Sequence, residues 1–272
     1  NSLNTARSTA GGAGADNTAA LAFGGNEPNL DNTETWNGTN WTEVNDLNTA
    51  RRQLGGAGTN TSALAIGGGT PPSTELGIVE SWNGTNWTEV GDLNQVRDYL
   101  GTSGADNTSA LAFGGNAPPS TAVTEAWNGS AWYEVNDLNT ARSRVSGDTG
   151  TATSALMFGG SSAPRQQTES WNGSIWTETN DMSQGRQYHA GSAANNTAGL
   201  AFGGVLSPSD YTALAATEEW NANISVGAWV TGGSLNAVRS ANSGSGTQTA
   251  TLTFGGRNPP YTGATEVYNG TA

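Results

Sequence analysis

A short aliphatic or aromatic run ending in Gly-Gly recurs six times along the chain, with polar, glycine-rich stretches between the runs. The pairs lie at Gly24 and Gly25, Gly67 and Gly68, Gly114 and Gly115, Gly159 and Gly160, Gly203 and Gly204, and Gly255 and Gly256, so the spacings are 43, 47, 45, 44 and 52. Each copy has the same inner order, legible in residues 47–92: L-N-T-A-R-R-Q-L-G-G-A-G, S-A-L-A-I-G-G, I-V-E-S-W-N-G and N-W-T-E-V. Four short apolar-containing segments bounded by turn residues predict four strands per copy. Asn-Gly at Asn37, Asn83, Asn128, Asn172 and Asn269 predicts a tight type I′ hairpin between the third and fourth strands. Two tryptophans five apart flank that turn in the first four copies, at Trp36 and Trp41, Trp82 and Trp87, Trp127 and Trp132, and Trp171 and Trp176. Such rings can pair across the hairpin or pack between neighbouring copies. Copy five stretches the turn between Trp220 and Trp229, and copy six has Tyr268 in the first position.

Strand-rich units repeating at this period predict an all-β fold, a six-bladed β-propeller of four-stranded antiparallel blades. The chain is then one domain over 1–272, with blades at about 1–46, 47–92, 93–137, 138–181, 182–234 and 235–272. Residues 1–7 match the segment that follows a fourth strand, and Y-N-G-T-A precedes where the sixth fourth strand is due. The sixth blade is therefore expected to lack its outer strand, and the chain to be a module of a longer one.

An arginine in the first segment, a strand ending in Gly-Gly, an aromatic after a glutamate and a later tryptophan resemble the kelch repeat. In the second copy these are Arg51, Gly67 and Gly68, Glu80 with Trp82, and Trp87. The chain departs from that family in having Trp rather than Tyr after the glutamate, with a shorter gap to the second Trp. The wording W-N-G-T-N-W-T-E-V also resembles repeat proteins encoded by phages, including cyanophages. That resemblance implies a virion origin.

Composition narrows the function. Ten arginines, no lysine and 23 carboxylates give a formal charge of -13, a surface that repels nucleic acid and anionic membranes. No apolar stretch approaches a bilayer span, so no membrane insertion is expected. Cysteine is absent and His189 is the one histidine, which excludes disulfides, thiolate sites, multi-histidine metal centres and the copper-oxidase chemistry of some kelch-like enzymes. No cofactor is expected.

Six repeated arginines, Arg7, Arg51, Arg97, Arg142, Arg186 and Arg239, open the first strands. They either form a ring at the channel mouth or pair with the repeated glutamates Glu34, Glu80, Glu125, Glu169, Glu218 and Glu266 or with backbone carbonyls. The variable loops between second and third strands share the face on which the chain enters the first strands, and recognition usually sits on such loops. Within them Arg165, Tyr211, Arg257 and Tyr261 are the side chains best suited to a sugar. Asp16, Asp106 and Asp148 could hold Ca²⁺ or simply make Asx turns.

The expected function is a non-catalytic binding or structural module, extracellular on a virion surface or tail. It would present its loops to a host-surface glycan or a neighbouring virion protein, possible homo-oligomers included. Alternatives are a secreted or cell-surface adhesion propeller and, less favoured, a glycan-cleaving enzyme using paired carboxylates.

Overall fold

The computed structural model describes all residues except 27–28, 146–148, 208–211, 224–226, 259 and 271–272. Among these residues there is no helix, and so none long and apolar enough to cross a membrane. Among the described residues six antiparallel sheets follow one another around a ring, five of four strands and a last one of three, besides one two-stranded hairpin. The second is representative: Gly55–Thr59, Ser62–Ile66, Val79–Trp82 and Trp87–Glu89, hydrogen-bonded in that order from the inside outward. Its loop between second and third strands carries an extra hairpin, Gly69–Thr70 with Thr74–Glu75.

The first strands pack side by side around a central axis, and the ring closes where Gly11–Asp16 of the first sheet meets Ser243–Thr247 of the sixth. Six strands converging on one axis leave little room for side chains, so these strands are built from Gly, Ala, Ser and Thr up to the closing Asp16, Asp106 and Asn195 of three of them. A Cβ added to Gly56 would come within 2.1 Å of the Gly12 carbonyl of the neighbouring sheet.

After its first residue each second strand is buried and mostly apolar, as in Ala63, Leu64, Ala65 and Ile66. A strand with neighbours on both faces has no solvent side, which is why these runs do not alternate. The Gly-Gly pair ends the run in the left-handed region, with φ of 59° and 100° at Gly67 and Gly68. The second glycine then donates its N–H to the arginine carbonyl of the next copy, Gly68 to Arg97 at 3.0 Å and, across the closure, Gly256 to Arg7 at 2.8 Å. A side chain at the first glycine would meet that carbonyl at 2.8 Å for Gly67. The repeated glycines are thus the seams between sheets.

The tryptophans do both things expected of them. Trp82 and Trp87 are opposite in register with centroids 5.2 Å apart, and Trp87 also stands edge-on against Phe23 of the preceding sheet at 4.9 Å. Its indole donates to Thr33 Oγ1 of that sheet at 3.0 Å.

The hairpin differs from the expected type I′ turn. With Trp36 opposite Trp41 the loop has four residues, and only Gly38 has positive φ, at 87°. Asn37 instead accepts the N–H groups of Thr39 and Asn40 on its side-chain oxygen at 3.0 and 2.9 Å. A side chain that caps the loop itself removes the need for a left-handed asparagine.

Candidate binding site at the channel mouth

The six repeated arginines do not line the channel. All are fully buried, at 0–2% exposure. Arg51 reaches outward through its own sheet: Nη1 donates to the carbonyls of Gly67 at 2.9 Å and Ile78 at 2.5 Å, and Nη2 meets Glu80 Oε1 at 3.1 Å. Glu80 Oε2 accepts the backbone and side-chain N–H of Asn48 at 2.7 and 2.8 Å. Arg7–Glu34, Arg97–Glu125, Arg186–Glu218 and Arg239–Glu266 repeat the pair. Arg142 departs from it, donating to Gln167 Oε1 while Glu169 takes Asn139.

The channel-mouth arginine ring is therefore corrected to a set of buried crosslinks. A planar fork with several donors can satisfy the orphan carbonyls left where each sheet bends at its Gly-Gly, which a solvated side chain could not do. Burial lowers these arginines, Arg97 to about 10, against the opposing pull of the neighbouring carboxylates.

What does line the mouth lies two residues after each arginine: Thr9, Gln53, Tyr99, Arg144, Tyr188 and Ala241. All six are in the left-handed region, φ 51° to 61°, where residues other than glycine seldom go. The strain is held by a closed circle of backbone bonds: the N–H of Gln53, Tyr99, Arg144, Tyr188, Ala241 and Thr9 each reach the carbonyl of the preceding member, at 2.7–3.4 Å. The ring fixes six side chains around one opening without itself depending on what they are.

Their identities are unequal around the circle. Arg144 lies over the rings of Tyr188 at 4.9 Å and Tyr99 at 5.6 Å, and the two tyrosines meet edge-on at 5.5 Å. Gln53 Nε2 donates to the Tyr99 hydroxyl at 2.6 Å. Burial, then the neighbouring Tyr188 and Asp98, push the Tyr99 phenol above its ordinary range, so it stays a neutral hydroxyl. Asp98 is buried beside this group, and desolvation raises its carboxyl to about 6. Thr9 and Ala241 occupy the other side. The mouth is a cavity of about 90 Å³ with an aromatic and cationic half and a small, neutral half.

The loop residues chosen from sequence are not gathered at this cavity. Arg257 is exposed, Arg165 is half-buried, and the Tyr261 hydroxyl accepts from Asn26 Nδ2 at 3.0 Å, tying the sixth sheet to the first. Tyr211 lies outside the described residues. The second-to-third loops do join the mouth face, through bridges such as Asp98 with Asn116 and Gln187 with Val205.

Asp16 and Asp106 make Asx turns. The oxygen of Asp16 accepts both the N–H and the hydroxyl of Thr18, at 2.7 and 2.6 Å, and those bonds hold its carboxyl low. Asp148 lies outside the described residues, and no metal-binding cluster occurs among those that are described. His189 takes the buried place of Leu54 and Leu100, against Phe158 at 5.4 Å, and desolvation lowers it to about 3.

Comparison with protein-family models and with curated proteins finds no match. The solved structure of YjhT is similar with a TM-score of 0.77, over 98% of this chain and 95% of that chain, at 11% sequence identity. The chain is a six-bladed β-propeller. At that identity the likeness extends to the fold alone. A propeller of this kind fits a binding or structural module, with its residues converging on one mouth.

Proposed function

We propose that this propeller is a non-catalytic, kelch-like binding module carried on the outside of a phage particle, and that its channel-mouth face takes a host-surface glycan. The observation that carries the reading is the Tyr99, Arg144 and Tyr188 group, held by the strained backbone ring at positions where the repeat varies while the arginine two residues earlier does not. Aromatic faces stack on the apolar side of a sugar ring, and a guanidinium beside them donates to hydroxyls or a carboxylate. Preorganised side chains lose little entropy on binding. The placement on a phage particle rests on the W-N-G-T-N-W-T-E-V resemblance.

The repeated carboxylates support a non-catalytic role. Glu34 accepts from Arg7, from the Asn4 N–H at 2.7 Å and from the Thr5 N–H at 3.2 Å. A carboxylate so occupied cannot serve as acid or base toward a glycosidic oxygen. The test is a glycan array probed with the wild type and with Arg144→Ala. Binding that falls at least tenfold in the variant supports the reading. Binding by neither protein moves the partner to a neighbouring virion protein, and hydrolysis of any arrayed glycan overturns the non-catalytic role.

A further inference from the structure

The chain carries ten arginines and no lysine, and six of the arginines sit in the buried crosslinks. The remaining four are Arg52, Arg144, Arg165 and Arg257. Arg52 and Arg144 belong to the segments that form the mouth ring, and Arg165 and Arg257 to second-to-third loops. Every arginine outside the crosslinks therefore stands on the mouth face. The repeated carboxylates outside the crosslinks lie elsewhere: Glu43, Glu89, Glu134 and Glu178 are exposed on the fourth strands, at the rim of the ring. The one cation of the mouth opening, Arg144, is thus set inside an acidic rim.

Arg144 differs from Arg52 and from the six crosslinks in what its fork meets. Arg52 donates to Asn26 Oδ1 at 3.1 Å and to the Pro72 carbonyl at 3.3 Å, and each crosslink arginine donates to oxygens of its own blade. Among the described residues Arg144 makes no ion pair and no side-chain hydrogen bond, and its Nε is buried without an acceptor. The faces of Tyr188 and Tyr99 hold it in place instead, and they leave its donors unclaimed. Gln53 donates to the Tyr99 hydroxyl, so no phenolate beside Arg144 neutralises it. Asp98 lies within electrostatic reach of Arg144 without pairing with it, and also faces Asn116 and Glu75. A half-buried, oriented guanidinium with neither acceptor nor counter-charge favours a carboxylate over a hydroxyl, since a carboxylate accepts two parallel N–H bonds and supplies the missing charge.

We propose that the ligand of the mouth is an acidic saccharide, a sugar whose carboxylate docks on the Arg144 guanidinium while the uncharged Thr9 and Ala241 side leaves room for the rest of the ring. This assignment rests on the reading of the mouth as a glycan site and fixes the class of glycan. It also gives the guanidinium a role that the tyrosines alone cannot fill, because an aromatic face does not distinguish an acid from its neutral ester.

The experiment adds glucuronate, galacturonate, the methyl esters of both, and acetate to the isotope-labelled chain and follows the arginine Nε–H signals by NMR, with Arg144 assigned by its absence from Arg144→Gln. We expect a saturable shift of the Arg144 signal with a uronate, at least tenfold weaker binding of the corresponding ester, and no comparable shift with acetate at the same concentration. In Arg144→Gln, whose melting temperature should stay within a few degrees because the ring is backbone, the Tyr188 ring signals should no longer distinguish acid from ester. Equal binding of acid and ester, a response to acetate as strong as to the uronates, or no movement of the Arg144 signal with either uronate would each overturn the proposal. Neutral glycans bound on an array by a chain whose Arg144 ignores both uronates would overturn the acid assignment and leave the mouth a glycan site. Uronate binding at Arg144 with no array glycan bound would support the acid assignment and remove the host-surface reading.

Discussion

Two positions of the same repeat, two residues apart, have opposite characters. Arg97 is fully buried, ion-paired to Glu125 at 3.0 Å and bonded to carbonyls of its own blade, and its counterparts in the other copies are the same residue. Tyr99 faces the channel mouth, and its counterparts are Thr9, Gln53, Arg144, Tyr188 and Ala241. Between them the backbone turns into the left-handed region, which reverses the direction of the side chain from the blade interior to the axis. Sequence constancy at the first position is a matter of packing and buried charge. Variation at the second is free to follow a ligand, because the ring beneath it is made of backbone alone.

The sharpest way to break this contrast is to remove the buried cation. Arg97→Ala leaves Glu125 and the Val123 and Ala112 carbonyls without their donor, and should cost roughly 3–5 kcal/mol in urea unfolding. A change below 1 kcal/mol would mean the arginines are not the crosslinks described.

The next effect is pH dependence. His189 is depressed by desolvation, then by Arg186, to about 3 from an ordinary 6.5. The unfolded chain therefore takes up a proton that the folded chain does not, and stability falls as pH drops from 6.5 toward 3. His189 alone should contribute a loss of roughly 3 kcal/mol between pH 6.5 and 4, the difference between wild type and His189→Leu over that range. Asp98 acts with the opposite sign: its carboxyl is raised to about 6 by desolvation, so its contribution grows as pH falls through 6, and the comparison with His189→Leu separates the two.

Smaller effects test the seams. Thr33→Val strands the buried Trp87 indole N–H and should cost about 1–3 kcal/mol. The protein has already made this change once, at Val79, where the Trp132 indole is buried without an acceptor. Val79→Thr should recover about 0.5–1.5 kcal/mol, read as a rise in denaturation midpoint at unchanged m-value. No gain would show that the indole is satisfied another way.

Much of this architecture was legible from the chain because its causes are local. Gly-Gly after an apolar run marks a place where no Cβ fits, and a repeated Arg with a repeated Glu marks a pair, as Arg51 and Glu80 prove to be. The mouth was not read, although its signal lay in the alignment of the copies: Gln53, Tyr99, Arg144 and Tyr188 vary just after an arginine that does not. Which way those side chains turn depends on a left-handed residue that no glycine announces. Choosing Arg165, Arg257 and Tyr261 by residue type alone missed them, since Tyr261 is engaged with Asn26 rather than gathered with the mouth. The hairpin was misread for a similar reason, because the Asn37 side chain does by hydrogen bonding what a positive φ would otherwise do.

The most direct test of the central claim measures two properties of one variant, Tyr188→Ala: its melting temperature, and its binding to the glycan that the wild type selects from an array. The account predicts a melting temperature within a few degrees of wild type, because the ring is backbone, together with binding weakened at least tenfold. A variant that binds as well as wild type would contradict the assignment of the mouth as the recognition site.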